Sequence, residues 1–299
     1  MARKSTACST CGTENCSAKS RQPDESPEEF AERQKLALRL CGIRHKIMVL
    51  SGKGGVGKST VAANLAAVMA SSGLRVGLLD VDFHGPSIPR LMGVEGQRAG
   101  TGEEKGIKPV SGAHGVMVMS MGLLMEGARQ AVIWRGPLKM NVIRQLLRDT
   151  EWGELDCLVI DSPPGTGDEP LSVAQLIPDA DGAVLVTTPQ DLSTGDVRRS
   201  VTFCRQVKLP VLGIIENMSG FVCPHCGKET ALFKSGGGRA LAEEMKIPFL
   251  GSVPIDPQVV ESSDEGRPFV LAHPDSPASG MFLTAVAPVL QMVRSGKEK

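Results

Sequence analysis

The segment from Gly52 to Ser59, Gly-Lys-Gly-Gly-Val-Gly-Lys-Ser, carries the pattern G-x-x-x-x-G-K-[ST]. Such a loop wraps phosphate oxygens in backbone N–H groups, and any larger side chain at the glycines would block their approach. Gly52, Gly54, Gly55 and Gly57 supply that freedom, with Lys53 and Val56 between them. Lys58 is then placed for the β- and γ-phosphates of a nucleotide, and the Ser59 hydroxyl for Mg²⁺, with Thr60 beside it. The apolar run Ile47-Met48-Val49-Leu50 before the loop reads as a buried strand. The run from Val61 to Met69 after it reads as a helix, whose positive end faces the same phosphates. The alternative, a glycine-rich turn that binds nothing, does not account for this strand–loop–helix order.

Carboxylates complete such a site. Leu158-Val159-Ile160-Asp161 ends an apolar strand in an acid, the position that faces Mg²⁺, through a metal-bound water, in phosphate-loop enzymes. Asp80 and Asp82 follow another apolar run and share a face, so either could orient a water, while one of them could instead cap the next turn. Lys53 is a second lysine within the loop. It could reach a nucleotide held by a neighbouring subunit, as a trans-acting arginine does, or it could simply be solvated.

The chain has eight cysteines: Cys8, Cys11, Cys16, Cys41, Cys157, Cys204, Cys223 and Cys226. In a reducing compartment, close spacings point to metal or redox chemistry more than to disulfides. Cys223-x-x-Cys226 offers two thiolates, and iron–sulfur cubanes usually take four. A two-fold dimer would present the same pair twice. A tetrahedral zinc site could be built from the same two pairs, and spacing alone leaves both open. Cys8-x-x-Cys11-x₄-Cys16 is a second cluster of thiolates, for iron–sulfur or for zinc. Cys41 could be its fourth ligand or an ordinary buried cysteine. Cys157 lies in an apolar strand and Cys204 in a helix, where both read as packing residues. His45, His84, His114 and His273 show no ligand spacing.

These residues need a scaffold. Short apolar strands at 47–51, 75–80, 116–120, 157–161, 182–187, 211–216 and 249–252 alternate with helical segments at 58–71, 137–148, 169–176, 193–206, 236–246 and 279–294. That alternation predicts an α/β fold with a mostly parallel, doubly wound sheet. Ligands of such sheets bind at the carboxyl ends of the strands, where the glycine loop and Asp161 fall. Residues 1–44 read as a cysteine-bearing arm plus a helix, which Ser26-Pro27-Glu28-Glu29 caps, and residues 45–299 as the nucleotide domain. Residues 93–106, rich in glycine and charge, read as a mobile loop. The formal net charge is zero, which gives no electrostatic case for nucleic acid or an anionic membrane. No apolar segment is long enough to span a bilayer, and the first residues lack a signal peptide's apolar stretch, so a cytoplasmic location is expected. The apolar C-terminal segment has a meagre basic face, and Pro288 should interrupt it, so packing on the sheet is expected rather than membrane binding.

Lys53-Gly54-Gly55-Val56-Gly57-Lys58-Ser59 resembles the deviant phosphate loop of the MinD/ParA/nitrogenase-iron-protein class of P-loop NTPases. Asp80 to Ser87, Trp134-Arg135-Gly136-Pro137, Asp161 to Glu169, Glu216-Asn217-Met218-Ser219 and Cys223-Pro224-His225-Cys226 narrow the resemblance. As a set, over roughly residues 45–290, they are similar to the Mrp/ApbC-type iron–sulfur cluster carrier ATPases. The resemblance implies a homodimer with ATP and Mg²⁺ at its interface and Lys53 crossing to the partner. Asp82 would orient water, Asp161 would be linked to Mg²⁺, and Asn217 would lie near the adenine. It further implies a labile [4Fe–4S] cluster bridged between subunits by Cys223 and Cys226. Longer members of the family carry an N-terminal four-cysteine motif, so a second [4Fe–4S] cluster could sit on Cys8, Cys11, Cys16 and Cys41. The spacing here departs from the family version, in which an isolated cysteine precedes the close group.

The expected activity is slow ATP hydrolysis coupled to cluster binding and transfer, with cluster donors and apo iron–sulfur proteins as partners. A positioning ATPase of the MinD/ParA type with structural zinc is the alternative. A reductase with a stable cluster is a third reading.

Overall fold

The computed structural model describes residues 17–83, 85–104, 106–124, 136–222, 226 and 228–296. Helix α1 (Pro27–Cys41) starts on the expected capping box. The Ser26 hydroxyl accepts from the Glu29 N–H at 3.1 Å, and the Glu29 carboxylate accepts from the Ser26 N–H at 2.8 Å. Such a cap is worth about 1 kcal/mol. Leu36 and Leu40 turn inward, and the chain passes through Gly42 straight into β1 (Ile43–Ser51). The strand begins ahead of the apolar run because His45 and Lys46, polar in sequence, are buried in it with partners. Lys46 Nζ donates to the Ile43 carbonyl at 3.0 Å and pairs with Asp179 at 2.9 Å, and His45 Nδ1 lies 3.2 Å from Asp181 Oδ1. Burial of these groups is tolerable only with such partners.

The chain continues through α2 (Lys58–Ser71), β2 (Val76–Asp80) and α3 (Ile88–Leu91). Within the stretch read as a mobile loop lies β3 (Gly100–Thr101), which pairs antiparallel with β4 (Ile107–Lys108) just beyond it. Next come β5 (Val110–Ser111), β6 (Met117–Ser120), α4 (Gly136–Asp149), β7 (Leu155–Asp161) and α5 (Asp168–Leu176). Then follow β8 (Gly182–Thr187), α6 (Asp191–Gln206), β9 (Val211–Val222), β10 (Glu229–Thr230) and α7 (Gly237–Met245). The last elements are β11 (Phe249–Ile255), α8 (Gln258–Asp264), α9 (Phe269–Ala272) and α10 (Pro277–Ser295). The main sheet has the order β10-β9-β8-β1-β7-β2-β6-β5, with β11 also on β9. Its pairs are parallel except β9–β10 and β5–β6, so the mostly parallel, doubly wound sheet expected from the sequence is present.

Strand alternation sorts the core into two layers. Ile47, Val49, Leu78, Val159, Val184 and Val186 face the side that α2 and α10 cover. Met48, Leu50, Leu79, Leu158, Ile160 and Leu185 face α1, α4 and α6. Helix α2 is apolar on nearly every face because helices as well as the sheet enclose it, and its alanines allow that close packing. Cys157 and Cys204 are buried in these layers, as expected. Burial pushes the Cys204 thiol up to about 12 and the Cys157 thiol higher still, so neither is a ready ligand.

Pro288 does not interrupt the C-terminal segment: α10 runs through it. The proline sits on the exposed face, while Phe282, Ala285, Val286, Val289 and Val293 pack inward, so the lost hydrogen bond falls on the solvent side. No described helix is long and apolar enough to cross a membrane.

Candidate functional site

Strand β1 lies between β8 and β7, and its carboxyl end feeds the loop 52–57 directly into α2. Gly55 (φ 78°) and Gly57 (φ 83°) take left-handed conformations that the loop's turns require. At Gly52 the constraint is proximity: a Cβ there would stand 2.3 Å from the Asp196 carbonyl carbon of α6. The loop is therefore seated on α6. Its base is also fastened by Gly165, whose N–H donates to the Ser51 carbonyl at 2.8 Å.

Three acids converge on Lys58. Asp80 and Asp161 are register partners at the ends of β2 and β7, so topology alone puts both carboxylates beside the loop. Lys58 Nζ, itself buried, donates to Asp161 Oδ1 at 2.6 Å and to Ser59 Oγ at 3.2 Å, and lies 4.0 Å from Asp82 Oδ2. Burial raises the Asp161 carboxyl above its usual range, and the Lys58 charge and Ser59 hydroxyl partly offset that. Burial, reinforced by the neighbouring Asp161, raises Asp80 well above that range. Asp80 accepts from the Asp82 N–H at 3.0 Å and from Ser120 Oγ at 3.1 Å, so it is the acid that fastens the turn. Asp82 is left at the mouth, partly exposed.

Two buried polar atoms at this spot lack a hydrogen-bond partner: Asp161 Oδ2 and Ser162 Oγ. Native interiors seldom leave such atoms unpaired. Beside Ser59 and a glycine loop, they fit a Mg²⁺-bound nucleotide with its bound water. Lys53 is half-buried in the loop, and Gly54 and Gly55 are exposed.

Asn217, on β9, donates its side-chain amide to the Val56 carbonyl at 2.9 Å. A Cβ on Gly57 would stand 2.2 Å from that amide nitrogen, so glycine is required for the contact. The structure thus brings Asn217 onto the loop together with Lys58, Ser59, Asp82 and Asp161. In the sequence the cysteine pair follows the same strand. Val222 ends β9 and pairs with Glu229 of β10, so residues 223–228 connect the two strands. Cys226 is exposed in a turn. Cys223 lies outside the described residues, as do Cys8, Cys11, Cys16, Trp134 and Arg135. Cys41 is exposed at the end of α1, so it is not the buried cysteine that was one of its two readings.

A family model described as NUBPL iron-transfer P-loop NTPase, of the ParA group, matches residues 42–290. The chain belongs to that family. An "Iron-sulfur cluster carrier protein" of Saccharolobus solfataricus is 50% identical over 263 residues, covering 88% of each chain. A protein of the same description from Methanocaldococcus jannaschii is 45% identical over 298 residues, covering 100% of both. Among solved structures, a nucleotide-binding protein of Archaeoglobus fulgidus in complex with ADP superimposes with a TM-score of 0.72 at 43% identity. That match covers 84% of this chain and 96% of the other. Membership of this P-loop NTPase family agrees with the glycine loop, Lys58 and the paired acids standing where a nucleotide's phosphates would lie.

Sequence reasoning passed over several residues of this neighbourhood. Glu216 is fully buried beside Asn217, and it accepts from the N–H groups of Gly236 and Gly238. The run of three glycines ahead of a helix was the signal available for that contact.

Proposed function

We propose that this chain is an ATP-dependent carrier that holds a [4Fe–4S] cluster between two copies of itself and passes it to apoproteins. The observation that carries this reading is the contact of Asn217 with the phosphate loop, made from the strand that runs up to the cysteine pair. Strand β9, whose Asn217 touches the phosphate loop, ends at Val222, and Cys223 and Cys226 come next in the sequence, so the strand that meets the loop also leads to the thiolates. One chain supplies only two thiolates there, and a symmetric second copy would supply the other two. A cluster shared in this way and open to solvent is easier to give up than one enclosed by a single chain. The names of the carrier relatives support the same cargo.

In this reading, backbone N–H groups of the loop and Lys58 bind the phosphates of ATP, and Lys58 leaves Asp161 to do so. Ser59 and Asp161 would hold Mg²⁺, which supplies charge neutralisation on the phosphate oxygens. Asp82 orients a water for attack on the γ-phosphorus, which breaks the bond to the bridging oxygen and yields ADP and phosphate. Lys53 reaches the partner's nucleotide, so hydrolysis depends on pairing. Among the described residues no strong base stands at the site, and turnover is slow. The N-terminal cysteines with the exposed Cys41 form a second site, for iron–sulfur or zinc. Cluster donors and apo iron–sulfur proteins are the partners, and the reducing cytoplasm is the setting.

The test is anaerobic reconstitution with iron and sulfide in the presence of ATP. Equal amounts of iron and sulfide on a species of twice the chain mass, then transferred to an apo-acceptor, are expected. Zinc in place of iron, with no sulfide, would favour the positioning ATPase instead.

A further inference from the structure

Glu216 has no role in the account so far, yet its surroundings are unusual. It is fully buried on β9, opposite Thr187 of β8 and Ser252 of β11. Its carboxylate accepts three hydrogen bonds, all from neutral donors. Oε1 takes Ser219 Oγ at 2.5 Å and the Gly236 N–H at 2.9 Å, and Oε2 takes the Gly238 N–H at 2.5 Å. Gly236 is the N-cap of α7, so the acid also sits at the positive end of that helix. The glycines make this approach feasible. A Cβ on Gly238 would stand 3.1 Å from both Cβ and Oε2 of Glu216, and one on Gly237 would stand 2.3 Å from the Pro189 carbonyl oxygen.

The segment held in this way, 231–238, is the return path of the chain after the cysteine connection and β10. Adjacent Asn217 holds the phosphate loop through Val56. Beyond it the strand is irregular: Met218 (φ 56°) and Gly220 (φ 82°) are left-handed, and its register with β11 shifts before Phe221. Two neighbouring side chains of β9 therefore grip the two ends of the molecule's chemistry. Asn217 grips the nucleotide loop and Glu216 the segment that closes the cysteine connection, with an irregular piece of strand leading to Cys223.

We propose that Glu216 is a positioning residue for the cysteine pair. It ties the return segment to the strand clamped on the phosphate loop, so nucleotide binding changes how firmly the pair holds its cargo. The inference rests on the carrier reading above. A change at Val56 and Gly57 on nucleotide binding moves Asn217. Glu216, on the same backbone, transmits that movement through Gly236 and Gly238 to the far side of the cysteine connection. A neutral amide at position 216 keeps the side chain's size but replaces an accepting oxygen with a donor, leaving one glycine N–H unpaired.

The test uses the full chain loaded anaerobically with iron and sulfide, and follows cluster absorbance as a ferrous chelator removes the iron. It is run without nucleotide, with ADP and with a non-hydrolysable ATP analogue. Wild type is expected to release iron at rates that differ between nucleotide states. Glu216→Gln is expected to bind the analogue as wild type does, to load cargo, and to release it about tenfold faster at one rate in every state. Ser219→Ala removes a single donor and is expected to narrow the spread of rates partially, which covers the case in which Glu216→Gln does not fold. Nucleotide-dependent release retained in both variants would overturn the role of Glu216 and leave the carrier reading standing. Wild-type release that ignores nucleotide would also overturn the role. Wild type that takes up no iron or sulfide would remove the carrier reading itself.

Discussion

The two chemical ends of this molecule are built on opposite principles. At the nucleotide end the described residues of one chain make a crowded base: Lys58 is buried on Asp161, Asp80 is locked into a turn, and Gly52 and Gly57 are pressed against α6 and β9. At the cysteine end the one described thiol, Cys226, stands in the open, and the pair offers half of a four-thiolate set. In the proposed reading, the groups that bind the phosphates of ATP come from one chain, and the partner adds Lys53 for hydrolysis. In the same reading, a site that gives its contents away gains from being shared. Nucleotide binding then rests on packing within one chain and cargo binding on assembly, so substitutions should affect the two through different observables.

The comparison is tested hardest at Lys58. Lys58→Ala leaves the buried Asp161 carboxylate without its partner, which should destabilise the protein by about 3 kcal/mol in urea unfolding. It should also weaken ATP binding by about a hundredfold in a nucleotide titration, the loss expected when a charged hydrogen-bond partner is removed. Iron and sulfide uptake should persist. Unchanged ATP binding would refute the assignment of the nucleotide site. Gly57→Ala comes next. A side chain at φ 83°, 2.2 Å from the Asn217 amide, should cost about 2 kcal/mol in thermal unfolding and again leave cargo uptake in place.

Cys157→Ala sharpens the contrast from the other side. It should cost about 1 kcal/mol of stability while bound iron stays unchanged, because this thiol is a packing residue. Loss of iron in that variant would erase the distinction between core and cargo cysteines. The smallest effect is expected between α1 and α4, where Asp149 accepts from Lys35 at 2.8 Å and pairs with Arg148 at 2.5 Å. The Arg148 guanidinium foremost, then Lys35, holds the Asp149 carboxyl below its usual range. Its contribution is therefore present above the ordinary carboxylate range and is lost as pH falls through the lowered value. Asp149→Asn should remove about 0.5 kcal/mol and flatten that acid limb of a stability–pH curve.

Much of the fold was legible because local signals agreed. The box at Ser26 and Glu29, the glycine loop and the alternation in β1, β7 and β8 each report on neighbours in sequence. The start of β1 was hidden because His45 and Lys46 owe their burial to Asp179 and Asp181, far along the chain. Pro288 misled because its tolerance depends on which helix face meets solvent. At the site, Lys58, Ser59 and Asp161 were readable from motif and strand order, whereas Asn217 was named only through the resemblance, near an adenine and not on Val56, and the fastening of Asp80 needed Ser120 to show it. Glu216 was invisible as a contact, since its donors at Gly236 and Gly238 lie beyond the whole cysteine connection.

The most direct test of the contrast is anaerobic reconstitution of wild type beside a Cys223→Ala/Cys226→Ala variant, with iron, sulfide, zinc, particle mass and ATP affinity measured on both. We expect the variant to bind ATP as wild type does but to lose the iron and sulfide that accompany the dimeric species. Full retention of that iron and sulfide in the variant, or stoichiometric zinc with no iron in either protein, would contradict a shared cluster at this pair.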